Sequence, residues 1–340
     1  MIQKGRIVFM KKKSKIGLTI VSVVLVVILV AGLIYFFGAS YPAYEVLAKE
    51  EFNISGLSEG FIPQGISYDR VSGKFLLSGY MNDTSKPSRV YVVDSETQDE
   101  KYVTFTDGGE DYFGHAGGVA VYGNFAYIAG DGKVHEVNLD DVLNANNGDK
   151  VEFQYTLDPG NGADCLTVNG NELWVGEFYK KGKYETDESH HLTNSAGETN
   201  MAVSFAFALD ASGIVSDVPI RGLSTPNQLQ GIEFLGEDRV MISTSYSLPN
   251  SKLHVFENVF GVAPEHSLEV NGASVPVFVL SSANCVLSID APCMSEEIVL
   301  ANNKVYILYE SACSKYKLFT RTRVKNVHSI KIEDLLSAGE

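Results

Sequence analysis

The chain reads as an all-β protein: five sheets repeated radially around one axis, preceded by a single apolar helix. Three observations predict this. A short apolar strand followed, across a tight polar turn, by a second strand occurs five times. The last repeat runs out of chain before an outer strand, while an apolar segment ahead of the first repeat belongs to none. Beyond residue 41, runs with helical periodicity are confined to 140–145 and 333–338.

The helix comes first. Residues 16–38 are 23 consecutive uncharged residues, mostly Val, Ile, Leu and aromatic, enough to cross about 30 Å of hydrocarbon. Lys4, Arg6, Lys11, Lys12, Lys13 and Lys15 precede them, and the next basic residue is Lys49. Positive charge stays on the cytoplasmic side. The expected organisation is a basic cytoplasmic stub (1–15), a transmembrane signal anchor (16–38) and an extracellular domain (41–340) of a single-pass cell-membrane protein. A cleaved signal peptide with a small-residue site near Ala39-Ser40 is the alternative, but its apolar core spans about 7–15 residues.

From Tyr41 onward the chain carries 21 basic and 42 acidic residues, a net charge of −21. That excludes nucleic acid as a partner, because phosphate contacts need a basic surface. Cys165, Cys285, Cys293 and Cys313 are an even set in an oxidising compartment. Cys293 precedes the inner strand of the last repeat and Cys313 follows its second, so a Cys293–Cys313 disulfide is expected, with Cys285 a competing partner. Cys165 lies within a strand and reads as a buried thiol. No Cys/His cluster has the spacing of structural zinc.

The five inner pairs begin at Gln64-Gly65-Ile66, Gly117-Gly118-Val119, Asp164-Cys165-Leu166, Gln230-Gly231-Ile232 and Glu296-Glu297-Ile298. Third strands are expected at 89–94, 133–137, 203–207, 252–256 and 327–331. Outer strands are expected at 101–105, 151–155 and 216–220, the last holding Pro219 as an edge strand would. The fourth repeat offers 266–270 or 275–280 as its outer strand. The fifth has none, and the segment 44–54 can supply it, closing the ring and removing its open edge. The result is a five-bladed β-propeller; a sixth blade between 258 and 288 is the alternative.

In such a ring the starts of inner strands and the ends of second strands share one face. The equivalent positions at the mouth are Gln64, Gly117, Asp164, Gln230 and Glu296, none apolar. Tyr80, His115, Asp131, Glu177, Tyr246, Glu297 and Glu310 fall on the same face. The ligand-binding set is therefore Gln64, His115, Asp164, Glu177, Gln230, Glu296 and Glu310. Asp164, Glu177 and Glu296, with Glu297 and Glu310, could hold a hard cation such as calcium. His115 could act as a base near neutral pH, with Glu296 beside it as the other catalytic candidate. Water filling the channel would equally account for polar lining.

Two loops stand over this face. The insertion 180–201 carries Lys180, Lys181, Lys183, Tyr184, Glu185, Asp187, Glu188, His190, His191 and Thr193, and loops of this length are usually functional lids or disordered. The loop 311–326 carries Lys315, Lys317, Arg321, Arg323 and Lys325, suited to an anionic group. GxSxG, HExxH and P-loop motifs are absent from the sequence. Asp107 to Asp111 lacks EF-hand spacing, and Gly130-Asp131-Gly132 reads as a hairpin turn.

Through Pro63-Gln64-Gly65-Ile66, Gly114-His115-Ala116-Gly117-Gly118, Trp174-Val175-Gly176-Glu177-Phe178, Ser295-Glu296-Glu297 and Glu310-Ser311-Ala312, the exported region resembles a family of exported β-propellers of Gram-positive bacteria. The resemblance implies fold and location but brings no activity with it. More distantly the chain is similar to calcium-dependent lactonase and phosphotriesterase propellers. Those have six blades and place Asn as well as acids on the metal, and this mouth ring has no Asn. The sequence thus supports three functions. One is a surface-anchored module binding a small molecule, glycan or peptide; another is a metal-assisted hydrolase or lyase; the third is a scaffold for envelope proteins.

Overall fold

The computed structural model describes residues 19–30, 32 and 39–339. All five expected strand pairs form antiparallel hairpins: Phe61–Asp69 with Lys74–Met81, Val119–Tyr122 with Phe125–Gly130, Cys165–Asn169 with Glu172–Gly176, Leu229–Phe234 with Arg239–Thr244, and Ser295–Ala301 with Lys304–Tyr309. They form because each carries a short apolar run buried on both faces between neighbouring blades, and the turns between them are short and polar. The third strands are Arg89–Val93, Lys133–Asn138, Ala202–Leu209, Ser251–Glu257 and Asn326–Lys331. The inner strands neighbour one another in cyclic order, the fifth returning to the first. This is a five-bladed β-propeller.

The ring closes as expected. Lys49–Asn53 pairs antiparallel with Asn326–Lys331, so the first strand of the chain is the outer strand of the last blade. A short helix, Pro42–Leu47, precedes it. The two expected helical runs are Leu139–Asn144, capped by the Asn138 side chain, and Ile332–Ser337. The turn after Phe125–Gly130 has Asp131 at φ 54° and Gly132 at φ 73°, the doubly left-handed pair that a two-residue hairpin requires.

Two outer strands differ from expectation. The fourth blade is completed by Cys285–Ala291, antiparallel to Ser251–Glu257, not by 266–270 or 275–280. Those residues form a hairpin of their own, His266–Val270 with Ala273–Val279, around the left-handed turn Asn271-Gly272. The hairpin satisfies its own ladder locally and adds parallel to the edge of the third blade, Val277 opposite Gly222; it is not a sixth blade. Pro219 lies outside that parallel pairing, opposite Phe207 of the third strand where the antiparallel register is interrupted. The run 151–155 also divides. Lys150–Glu152 extends the first blade beyond its outer strand Glu100–Asp107, and Tyr155–Leu157 completes the second. At the split, buried Phe153 stacks on His135, ring centroids 4.2 Å apart.

Apolar side chains fill the spaces between facing blades. Tyr127 and Val134 meet Leu173, Val175, Phe205 and Phe207 between the second and third. Trp174, Ala206 and Leu223 meet Ile232, Val240 and Ile242 between the third and fourth. Each buried Leu or Phe stabilises by about 1.5–3 kcal/mol, so packing between blades, not within one, holds the ring.

All four cysteines are free thiols, so the Cys293–Cys313 bridge is not formed. The ladder between the strands flanking them ends where Glu310 N–H reaches the Met294 carbonyl. The chain then turns back on itself through Cys313 N–H to the Glu310 carbonyl, which takes Cys313 out of the register that would face Cys293. Of the expected membrane span 16–38, residues 16–18, 31 and 33–38 lie outside the described residues. Within it, 19–30 and 32 are helical. Among the described residues no helix is long and apolar enough to cross a membrane.

Candidate functional site

The residue that follows each mouth position in the sequence decides how closely the blades approach. These positions hold Gly65, Gly118, Cys165, Gly231 and Glu297. A Cβ on Gly118 would stand 2.7 Å from both Glu297 Oε1 and the Leu166 nitrogen; one on Gly231 would stand 2.8 Å from the Ile298 nitrogen. The space left at the axis is filled by Glu297. Its carboxyl accepts backbone N–H groups from three other blades: Ile66 at 2.8 Å, Val119 at 3.0 Å and Leu166 at 2.7 Å. Burial pushes its pKa well up against the pull of these three donors. Glu297 is thus a tie between blades and not a mouth residue. Beyond it Glu233, raised to about 7 by burial, accepts from Leu300 and Phe234 N–H.

The preceding residue of each strand points the other way. β-Bulges interrupt the ladders between Pro63 and Gly65, Leu229 and Gly231, and Ser295 and Ile298, and a bulge re-aims a side chain. Gln64, Gln230 and Glu296 sit at these bulges. With Gly117 and Asp164 they line one open pocket of about 490 Å³. The five equivalent positions therefore converge as expected. Tyr80, His115, Asp131, Tyr246 and Glu310 join them.

The floor is a connected polar network. Gln64 Nε2 donates to Glu310 Oε2 at 3.0 Å and to the Pro63 carbonyl at 2.8 Å. The Gln64 amide oxygen thereby faces His115 Nε2 at 2.8 Å, so that nitrogen carries the proton and Nδ1 keeps its lone pair. Desolvation holds the His115 pKa below the ordinary histidine value; Asp131 opposes this and Lys315 adds to it. Glu296 and Glu310 are hydrogen-bonded to each other. Burial and the neighbouring Glu310 carboxylate push Glu296 well up, and burial raises Glu310 to about 7 against Lys315 and Gln64. Two carboxyls this close share a proton, which Glu296 holds. Asp164 is also raised to about 7, by burial and then by Glu177, against the Phe178 N–H that donates to it at 2.7 Å.

Aromatic rings form the walls. On one side Phe178 lies against Tyr184 and Tyr246, with Lys183 Nζ over both tyrosine rings at 4.9 and 5.5 Å. On the other, Tyr80 packs on His115 at 4.5 Å, and Lys315 donates to the Tyr80 hydroxyl at 2.8 Å beside Tyr316. Both long loops thus reach the site, each through one lysine and one tyrosine. Of the five cations on 311–326, Lys315 alone lines the pocket. Phe178, Ser245, Ser247, Met294 and Tyr316 are lining residues that sequence reasoning did not select. The rule that found Tyr246 (loops after second strands share the mouth face) applies to its neighbours and to Tyr316 as well.

Glu177 is not brought to this floor. It is buried beneath the insertion, where it pairs with His190 Nδ1 at 2.8 Å and accepts Val203 and Gly162 N–H at 3.0 and 3.3 Å. It lines a second cavity of about 390 Å³ with Asp158, Asp187 and His190. Asp164, Glu177 and Glu296 therefore do not form a cation cage, and among the described residues no group of three or more His, Cys, Asp or Glu is placed to hold a metal. The donor set does not fit calcium: one carboxylate is paired with an imidazole, and another shares its proton with a neighbour.

No protein-family model matches the chain, and no curated protein matches it. Among solved structures, it is similar to the PQQ-bound aldose sugar dehydrogenase of Streptomyces coelicolor, at 10% identity and TM-score 0.48, over 84% of this chain and 97% of that one. It is similar to a Thermus thermophilus protein described as an oxidoreductase (glucose dehydrogenase), at 8% identity and TM-score 0.40, over 84% and 98%. A chain of a nidogen/laminin complex matches at 8% identity and TM-score 0.38, over 77% and 84%. With every score below 0.5, these likenesses have no bearing on what the site does.

Proposed function

We propose that this is an extracellular β-propeller, held at the cell membrane by residues 16–38, that binds a small hydroxyl-rich ligand of the saccharide class at its channel mouth. The observation that carries the reading is the convergence of Gln64, Asp164, Gln230, Glu296 and Glu310 on one 490 Å³ pocket walled by aromatic rings. Carboxyls whose pKa burial raises present O–H donors as well as acceptors. Side-chain amides do the same, and such a mixed floor suits ligand hydroxyls better than a cation. Phe178 and Tyr246 offer flat apolar surface to a sugar ring, and Lys183 and Lys315 stand where an acidic substituent would reach. The basic residues before residue 16 and the uncharged run 16–38 support the location.

The test is a melting-temperature screen of the full chain against neutral and acidic oligosaccharides, repeated on Glu296→Gln and Gln230→Ala. A ligand at a hundredfold excess over its Kd stabilises by about 2.7 kcal/mol, so a stabilising saccharide should be evident and should lose its effect in both variants. No response to any saccharide, with a shift from peptides instead, would overturn the reading. No response to either class would favour the scaffold. A second reading, acid–base catalysis on the bound ligand, is favoured by one observation: a protonated Glu296 stands in one network with a neutral His115 whose Nδ1 lone pair is available. Turnover of a bound saccharide, abolished in Glu296→Gln, would establish it.

A further inference from the structure

The loop between the second and third strands of the last blade carries residues that do not line the pocket. Leu318 and Phe319, adjacent at its tip, are 71% and 62% exposed. Lys317, Arg323 and Lys325 flank them, exposed and forming no ion pair among the described residues. In a domain of net charge −21 this is a concentrated basic and apolar surface. The same loop holds the start of the domain: the Tyr41 hydroxyl bonds Thr322 Oγ1 at 3.2 Å, and Tyr41 is buried. Only Ala39 and Ser40 separate Tyr41 from residue 38, the end of the expected span. Three extended residues reach about 10 Å at most.

We propose that the loop 315–325 docks on the anionic surface of the membrane in which residues 16–38 are anchored. Leu318 and Phe319 enter the interface, and Lys317, Arg323 and Lys325 contact lipid headgroups. The inference rests on the anchor reading above. Large apolar residues beside lysines and arginines are the chemistry of an interfacial contact, and the attraction acts only within a Debye length, about 8 Å at physiological salt. Because Lys315 and Tyr316 of this loop line the pocket, docking turns the channel mouth toward the bilayer.

The experiment uses the full chain in nanodiscs containing phosphatidylglycerol and lipids brominated on their acyl chains, which quench tryptophan within the membrane. Phe319→Trp places a reporter on the loop. Val71→Trp, 98% exposed in a turn on the opposite face, is the control, and the single native tryptophan, Trp174, is buried in both. Quenching of Phe319→Trp should exceed that of Val71→Trp by roughly threefold or more. It should fall by at least about half in purely zwitterionic nanodiscs or when Lys317, Arg323 and Lys325 are changed to Gln. Equal quenching of the two reporters, or quenching indifferent to lipid charge, overturns the proposal. Resistance of the protein to carbonate extraction reports the anchor separately, so failure of the loop contact and failure of the anchor give different results.

Discussion

Replacing Glu297 tests the account of how the blades are held together. In Glu297→Ala, the N–H groups of Ile66, Val119 and Leu166 lose their acceptor at once. A buried donor left unsatisfied costs about 1–3 kcal/mol. Three of them give about 3–9 kcal/mol, and water entering the vacated axis moves the result toward the lower end. In Glu297→Gln the amide oxygen still accepts, while the NH₂ group turns a donor toward a donor. One bond is lost, for about 1–3 kcal/mol. Melting temperature and urea midpoint of the solubilised chain measure both. At about 2 °C per kcal/mol for a domain of this size, Glu297→Ala should melt at least about 6 °C below the parent, and Glu297→Gln about 2–6 °C below. If Glu297→Ala melts within about 1 °C of the parent, or the two variants are equal, the three-blade tie is not what holds the axis.

Three further outcomes follow from neighbouring features. Gly118→Ala would set a methyl 2.7 Å from Glu297 Oε1 and the Leu166 nitrogen; overpacking of about 1–3 kcal/mol should appear in the same melts. Glu310 has a folded pKa raised to about 7, so the native state holds more protons than the unfolded chain between its unfolded value and 7. That stability is complete below the unfolded pKa and is lost as pH rises through 7. Melting temperature should fall from pH 5 to pH 8, less steeply in Glu310→Gln, and equal slopes would refute the shared proton. His190→Ala removes the partner of buried Glu177. Weakening the insertion by about 1–2 kcal/mol should speed tryptic cleavage at Lys180, Lys181 and Lys183 roughly 5- to 30-fold, and unchanged cleavage would mean that the pair does not hold the loop down.

What the sequence made legible was local. Strand pairs announce themselves by short apolar runs and tight polar turns, and the unused segment before the first repeat had one place to go. The outer strands at 266–280 were misplaced because a hairpin added in parallel to a distant blade leaves no mark in nearby residues. Their Asn271-Gly272 turn was the available clue that they pair with each other. At the site, aligning strand starts found the ring at the mouth, because a repeat carries its register with it. It could not separate Glu296 from Glu297. One is re-aimed to the pocket by a bulge and the other fills the axis, and both follow from backbone geometry that two adjacent glutamates do not reveal. Glu177 escaped for a similar reason: its partner His190 comes from an insertion with no repeat to align against.

The pairing of Glu296 with Glu297 also decides what kind of site this is. The pocket floor includes Glu296 and Glu310 but stops short of Glu297, which is fully buried and bonded to three blades. Glu233 lies buried beyond it. The Glu297 carboxyl therefore closes the axis below the pocket, so a ligand of the proposed kind would enter and leave by the mouth. Everything that governs access then lies on that one face: the insertion held by Glu177 and His190, and the loop that carries Lys315, Tyr316, Leu318 and Phe319. A contact between that second loop and the bilayer would act on the pocket directly, since only Tyr316 and Lys317 separate the Leu318-Phe319 tip from the lysine that lines the wall.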